Sequence, residues 1–222
     1  MEKLYKGIHR FQSSFFKKEE EFFGRLSDGQ KPEVMFITCA DSRIDPALVT
    51  QSRPGELFIV RNVGNIIPPY DALKDKNSVA AAIEFTVLGL KVKDIIICGH
   101  SDCGAMQALY RDEGGLDDMP HLKEWLSLAF PVKEMVSRFY PDSSTISCQQ
   151  IAERENILLQ LKNLQTYPFV DKALKEGEVY LHGWYYDIGS GNILTYNPET
   201  DIFEKIIYEE GKERGKAIMK RP

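Results

Sequence analysis

The chain has 222 residues, of which 43% are hydrophobic and 27% are charged. This length and this apolar content suffice for one sizeable core, so the sequence predicts a single domain over residues 1–222. The formal net charge is −5, and no long block of like charge occurs. The composition excludes the strongly basic surfaces of nucleic-acid-binding and membrane-surface proteins, and a small-molecule partner is expected.

No apolar run approaches the ~20 residues that span a bilayer, and no secretory leader is recognisable, so a cytoplasmic protein is predicted. The four cysteines are too few for a disulfide scaffold in a chain of this length. They are Cys39, Cys98, Cys103 and Cys148. Cys98 lies within an apolar run and is predicted to belong to a strand, whereas Cys148 is predicted to be a free, partly buried thiol.

Residues 1–23 are predicted to form one amphipathic helix or two, because apolar residues recur at helical spacing among charged ones. This segment is unusually aromatic, and four of its phenylalanines cannot all lie on one narrow face. They are Phe15, Phe16, Phe22 and Phe23. A second subunit would cover the surplus, although packing on the chain's own domain agrees nearly as well with the sequence. Residues 1–27 are therefore treated as an N-terminal arm.

Three short, β-branched runs predict the first three strands. They are Val34–Cys39, 57–60 and 94–99. A short helix or loop at 44–52 separates the first two strands, and a helix at 78–90, capped by Ser78, precedes the third. Prolines within 66–70 end the second strand and predict a loop there. This alternation of strands and helices favours a parallel sheet with right-handed crossovers.

The second half of the sequence predicts mainly helices, followed by a hairpin. Helical spacing of apolar residues indicates helices at 104–111, around 122–128, at 148–164 and at 169–176, with a charged loop at 112–120. Residues 178–188 and 192–196 flank a glycine-rich turn and predict an antiparallel hairpin that ends the sheet. The basic segment 212–222 predicts a frayed helix. The predicted fold is α/β, with a mostly parallel central sheet, an antiparallel edge strand and flanking helices.

Two short motifs directly follow the first and third strands and are expected to meet at the carboxyl edge of the sheet. They are Cys39-Ala40-Asp41-Ser42-Arg43 and His100-Ser101-Asp102-Cys103-Gly104. Cys39, His100 and Cys103 supply two thiolates and one imidazole, a set that suits zinc with an open fourth position. The H-x2-C spacing alone is weak evidence. The C-x-D-x-R motif is more specific, because it places a carboxylate and a bidentate guanidinium donor beside a thiolate.

With these motifs the chain resembles the β-class carbonic anhydrases, which carry C-x-D-x-R and, further along, H-x2-C-G. Other similar stretches lie at 54–58, 61–65, 81–85 and 181–184. The resemblance implies zinc-dependent, reversible hydration of carbon dioxide to bicarbonate and a proton by attack of zinc hydroxide, with Asp41 and Arg43 as the catalytic dyad. It also implies a homodimer or larger homo-oligomer in which the N-terminal arm packs on a partner subunit.

The resemblance extends to the substrate pocket of the plant-type enzymes. Phe58 and Val63 match the apolar pocket positions, and Gln30 matches a glutamine that orients substrate. Gly104 offers a backbone amide beside the metal ligands. Phe36 stands where an allosteric bacterial subtype has a tryptophan, which implies the non-allosteric, plant-like subtype.

Two residues depart from the family pattern. Phe85 replaces the tyrosine of most members, and Gly89 replaces a histidine of the plant enzymes. A proton relay through those side chains is therefore absent, so buffer or water is expected to carry the proton.

Several alternatives stay open at the level of sequence. Asp41 could itself be a fourth zinc ligand, which would give a closed, resting site. Relatives with the same zinc ligands hydrolyse CS2 or COS. The protein could also be a zinc-stabilised binding subunit of a CO2-fixing compartment, which makes a carboxysomal location possible. Carboxysomal cyanobacterial relatives carry a long C-terminal extension, and its absence in this sequence favours an enzyme over a scaffold subunit.

Overall fold

A six-stranded sheet forms the centre of the computed structural model, which describes residues 1–72, 76–112 and 114–206. Its strands are β1 (Val34–Cys39), β2 (Leu57–Asn62), β3 (Asp94–His100), β4 (Tyr180–Tyr186), β5 (Ile193–Asn197) and β6 (Ile202–Lys205). They lie in the order β2-β1-β3-β4-β5-β6. Strands β1 to β4 are parallel to one another. Strand β5 pairs with β4 in the antiparallel direction, and β6 pairs with β5 in the same way. The predicted α/β fold is confirmed, and the antiparallel edge has two strands where one was predicted.

The N-terminal arm is mostly helical, and none of its helices contains a buried residue. It comprises α1 (Glu2–Arg10), a π-helical turn (Phe11–Phe15), α2 (Phe16–Lys18) and α3 (Glu20–Ser27). Phenylalanine rings pack together at its centre, with the Phe16 and Phe23 centroids 5.1 Å apart. Leu4, Ile8 and Phe15 nevertheless remain more than half exposed. The arm therefore presents an apolar surface that the described part of its own chain does not cover.

The remaining helices flank the sheet. They are α4 (Pro46–Thr50), α5 (Ser78–Glu84) with a π-helical continuation (Phe85–Leu90), α6 (Gly104–Ala108), α7 (Pro120–Leu126), α8 (Phe130–Phe139), α9 (Thr145–Gln165) and α10 (Pro168–Lys175). Short 3-10 turns lie at Val63–Asn65, Tyr70–Ala72 and Ser127–Ala129. Within the described ranges, no helix is both long enough and apolar enough to cross a membrane.

Several predicted boundaries differ from those observed. The cap of α5 is Asn77, whose side chain accepts hydrogen bonds from the amides of Val79 and Ala80, and Ser78 is the first helical residue. Both residue types cap helices well, so the sequence alone did not separate them. Helix α8 and strand β6 were not predicted. Helix α6 ends at Ala108, before the predicted residue 111, and α9 begins at Thr145, before the predicted residue 148. The predicted helix at 212–222 lies outside the described residues.

The core occupies both faces of the sheet and extends to its carboxyl edge. One cluster includes Met35 and Ile95, packed against α5, α9 and α10. A smaller cluster on the opposite face contains Phe36 and Cys98, which confirms that Cys98 is a buried strand residue. A third cluster, between α6 and α9, includes Cys39 and Cys103. These two cysteines therefore lie at the rim of a packed, apolar interior.

Candidate metal centre and active site

Three predicted ligands meet at the carboxyl edge of the sheet. Cys39 ends β1, His100 ends β3, and Cys103 is the N-cap residue of α6. Their ligand atoms lie within 4.8 Å of one another, and all three residues are buried. The two sulfur atoms are 3.9 Å apart. Two sulfurs bound tetrahedrally to one zinc at ~2.3 Å would be separated by about 3.8 Å, so the donor set fits this metal.

The hydrogen bonds of His100 leave one ring nitrogen free for a metal. Its Nδ1 atom lies 2.9 Å from the carbonyl oxygen of Ser101, to which a protonated Nδ1 donates. That contact leaves the lone pair on Nε2, which is buried and has no hydrogen-bond partner among the described residues. A buried nitrogen without a partner is uncommon in folded proteins, and metal ligation would satisfy it.

The two thiols are electrostatically coupled. Hydrogen bonds donated by the Cys103 thiol and the Gly64 amide, among others, hold the pKa of Cys39 well below its ordinary value. The same contact with Cys39, followed by burial, raises the pKa of Cys103. At neutral pH the metal-free pair therefore retains one proton, which a bound metal would displace.

Asp41 and Arg43 form the bidentate pair that the sequence predicts. Arg43 Nε donates to Asp41 Oδ1 at 3.0 Å, and Arg43 Nη2 donates to Oδ2 at 2.8 Å. The Arg43 amide donates to Oδ1 at 2.9 Å, and Nη2 also reaches the carbonyl oxygen of Asp102. These bonds hold the pKa of Asp41 far below its usual range, so the carboxylate is ionised. Within the described residues, the metal-binding group contains three ligands and does not include Asp41.

Two further residues contact the site, although no motif pointed to their roles. Arg61 Nε donates to the carbonyl oxygen of Cys39 at 3.2 Å, and its Nη2 donates to the carbonyl oxygen of Asp41 at 2.6 Å. Glu153 accepts a hydrogen bond from the Cys103 amide at 3.1 Å. Arg61 lies in one of the stretches that resemble the family, which is the only signal that could have found it. Glu153 had no such signal.

The predicted pocket residues fall into two groups. Val63 and Gly104 adjoin the metal ligands, because Val63 precedes the residue whose amide contacts Cys39 and Gly104 follows Cys103. Phe58, in contrast, pairs with Met35, four residues before the end of β1. At a rise of ~3.3 Å per residue, Phe58 is about 13 Å from the level of Cys39 along the strand.

Gln30 is farther still from the metal ligands of its own chain. It is exposed and precedes β1, at the amino edge of the sheet, whereas Cys39 ends that strand. The half-exposed Phe85 ring packs against the ring of Phe58, with the two ring centroids 6.0 Å apart, so Phe85 also lies away from Cys39. One chain therefore does not bring Gln30 and Phe58 to its own metal centre.

Comparison with known proteins identifies the family. The family model for carbonic anhydrase matches residues 34–193, and the solved structure of the β-carbonic anhydrase CcaA is 39% identical, with a TM-score of 0.90, covering 94% of this chain and 92% of that one. The chain belongs to the β-carbonic anhydrase family. Its members are enzymes, so the protein is assigned the reversible hydration of carbon dioxide.

Other relatives span most of the chain. A carbonic anhydrase of Synechocystis sp. is 41% identical over 197 residues, which cover 89% of this chain and 71% of the relative. Tetrameric β-carbonic anhydrases of Sordaria macrospora include a structure that is 30% identical, with a TM-score of 0.72, covering 87% of this chain and 95% of that one. These similarities therefore extend over most of the chain and over most of each relative.

Proposed function

We propose that this carbonic anhydrase hydrates carbon dioxide at a zinc site formed by Cys39, His100 and Cys103. The observation that carries the proposal is the convergence of three buried ligand atoms within 4.8 Å, one of them the unpartnered Nε2 of His100. A zinc ion held there would supply Lewis-acid chemistry and make a nucleophile available from water near neutral pH. The ligand residues themselves exclude bulk solvent from one side of that position, because all three are buried.

Asp41 is proposed to orient the attacking water. Its carboxylate is ionised and fixed by Arg43, so it can accept a hydrogen bond in a defined direction. Arg43 has a second role, because it occupies both carboxylate oxygens and so favours a position of Asp41 outside the metal ligands. The half-exposed Val63 offers an apolar contact suited to carbon dioxide, and the Gly104 amide is available to a bicarbonate oxygen.

A second copy of the chain is proposed to complete each pocket. Gln30 and Phe58 lie toward the amino edge of the sheet, where they cannot serve their own Cys39. The exposed apolar surface of the arm, residues 1–27, gives such a copy a surface on which to pack. The tetrameric state of the Sordaria relatives supports a homodimer or larger assembly. The cytoplasmic or carboxysomal location stays a prediction from sequence.

Metal analysis tests the proposed zinc site. We expect about one zinc ion per folded chain, because the three ligands define one tetrahedral site. Cys39→Ser should lose the metal and the activity. Cys98→Ser is the matched control, since Cys98 is equally buried but packs against Phe36 and is not part of the ligand group, and this variant should keep its zinc. Folded wild-type protein without metal, or Cys39→Ser with a full complement, would contradict the proposal.

A further inference from the structure

Helix α9 carries a row of buried polar side chains, although the helix contributes no candidate metal ligand. This α9 polar row consists of Glu153, Asn156, Gln160 and Asn163, whose exposed fractions are 3%, 1%, 0% and 8%. Their spacing of three or four residues places them on one face of the helix. Buried polar groups destabilise a protein unless they are hydrogen-bonded, so their partners indicate what the row does.

Three members of the row, Asn156, Gln160 and Asn163, bind the backbone of the segment that follows β2. Asn156 Nδ2 donates to the carbonyl oxygen of Gly64 at 2.9 Å. The amide of Ile67 donates to Gln160 Oε1 at 2.8 Å, and its carbonyl oxygen accepts from Asn163 Nδ2 at 2.8 Å. Gln160 Nε2 also donates to Asn156 Oδ1 at 2.8 Å, which fixes the orientation of the Asn156 amide. The segment is therefore attached to α9 at two separate points.

One of these attachments lies directly behind Cys39. The amide of Gly64 donates to Cys39 Sγ at 3.4 Å, while its carbonyl oxygen is held by Asn156. Gly64 has φ of 80°, and a Cβ atom there would lie 3.0 Å from the Cβ of Ala105. The Gly64 peptide is thus wedged between α6 and α9, and Asn156 acts on the Cys39 sulfur through it.

The same helix reaches the second thiolate from the other side. The Cys103 amide donates to Glu153 Oε1 at 3.1 Å, and the Tyr185 hydroxyl donates to Oε2 at 2.7 Å. Tyr185 belongs to β4, so the Glu153 carboxylate is fixed between the sheet and α6. Glu153 and Asn156 are three residues apart on one rigid helix. Their separation therefore fixes the backbone of Cys103 relative to the Gly64 peptide that contacts the Cys39 sulfur.

We propose that Glu153 and Asn156 are positioning residues that set the geometry of the two thiolates from a helix without a ligand. The inference rests on the proposed zinc site. Gln160 supports it by orienting Asn156. Asn163 holds the distal part of the segment, three residues beyond Gly64, and it reaches Asn156 only through Gln160, to whose Oε1 it donates at 3.1 Å. Loss of such outer contacts typically weakens metal binding by 10- to 100-fold.

The test compares Asn156→Leu with the matched control Asn163→Leu. Both variants replace a buried amide on α9 by an apolar group of similar size, and both release a carbonyl oxygen of the same segment. Zinc affinity is measured by competition with a chelator, and thiolate geometry by the charge-transfer absorption of the Co2+-substituted protein. We expect Asn156→Leu to weaken zinc binding by roughly 10- to 100-fold and to change the absorption band, while Asn163→Leu stays near wild type in both.

Equal zinc affinity in Asn156→Leu and wild type would overturn the inference, and so would an equal loss in both variants. If Asn156→Leu does not fold, the pair Glu153→Gln and Glu153→Leu replaces it. Glu153→Gln keeps an oxygen for the Cys103 amide and should retain affinity that Glu153→Leu loses, and equal affinities would overturn the inference. Failure of the wild type to bind zinc is a distinct result, because it removes the proposed metal site itself.

Discussion

At the scale of residues, the proposed zinc site keeps an open fourth position only if the Asp41 carboxylate is held away from the metal. Three hydrogen bonds from Arg43 hold this carboxylate, two from the guanidinium and one from the backbone amide. The pair is close in sequence, so the C-x-D-x-R motif predicted it. Arg61 and Glu153 contact the ligand segments through backbone atoms that are distant in sequence, and no local pattern encodes these contacts.

Arg43→Ala should therefore keep its zinc but lose most of its hydration activity. Without the guanidinium, the Asp41 carboxylate is free to turn and become the fourth ligand of the metal. A crystal structure of the zinc-loaded variant tests this result directly. Asp41→Asn is the companion variant, which should also be slow but should keep the fourth position open. Normal activity in Arg43→Ala, with Asp41 still turned away from zinc, would contradict the proposed role of the clamp.

At the scale of elements, the site depends on the close approach of α9 to β3. A Cβ atom at Gly99, on β3, would lie 2.9 Å from the Ile157 side chain and 3.3 Å from the carbonyl oxygen of Glu153. The approach places Glu153 and Asn156 within reach of the ligand segments. Sequence patterns predicted an α9 helix but not its role, because rules of amphipathicity assign polar residues to solvent, and here they lie on the buried face.

Gly99→Ala should destabilise the protein by ~1–3 kcal/mol, since the added methyl group would displace α9 from the sheet. Urea unfolding measures the change in the free energy of unfolding. Gly177→Ala is not a suitable control, because Gly177 has φ of 71°. Gly7→Ala is preferable, since nothing lies within 4 Å of a Cβ atom at that helical position. Equal stability of Gly99→Ala and wild type would show that the close contact does not constrain α9.

At the scale of the whole molecule, the chain holds its metal ligands and part of its predicted pocket at opposite edges of the sheet. The first three strands were predictable because their β-branched runs are distinct and are separated by helix and loop patterns. Helix α8 and strand β6 were not predicted, because their apolar patterns are too short to indicate an element on their own. Helix α8 is stabilised by packing on α9, and β6 by pairing with β5. The proposed division of the pocket between copies was invisible in sequence, since residue matching says nothing about which copy supplies a side chain.

A mixed oligomer tests whether pockets are shared between copies. Gln30→Ala and Asp41→Asn should each be nearly inactive alone. In a mixed pair, the Asp41 of one chain and the Gln30 of the other would form one intact site. Random pairing into two-fold dimers should then restore about a quarter of wild-type activity, because half of the pairs are mixed and each has one intact site. A mixture no more active than its separate components would show that each pocket belongs to one chain.

Stopped-flow measurement of carbon dioxide hydration by the zinc-loaded protein tests the central claim most directly. We expect rapid hydration by wild type and by Cys98→Ser, loss of activity in Cys39→Ser, and no comparable turnover of COS or CS2. Hydration no faster than the buffer alone, activity in Cys39→Ser equal to wild type, or preferential hydrolysis of COS or CS2 would contradict the assignment of this site to carbon dioxide hydration.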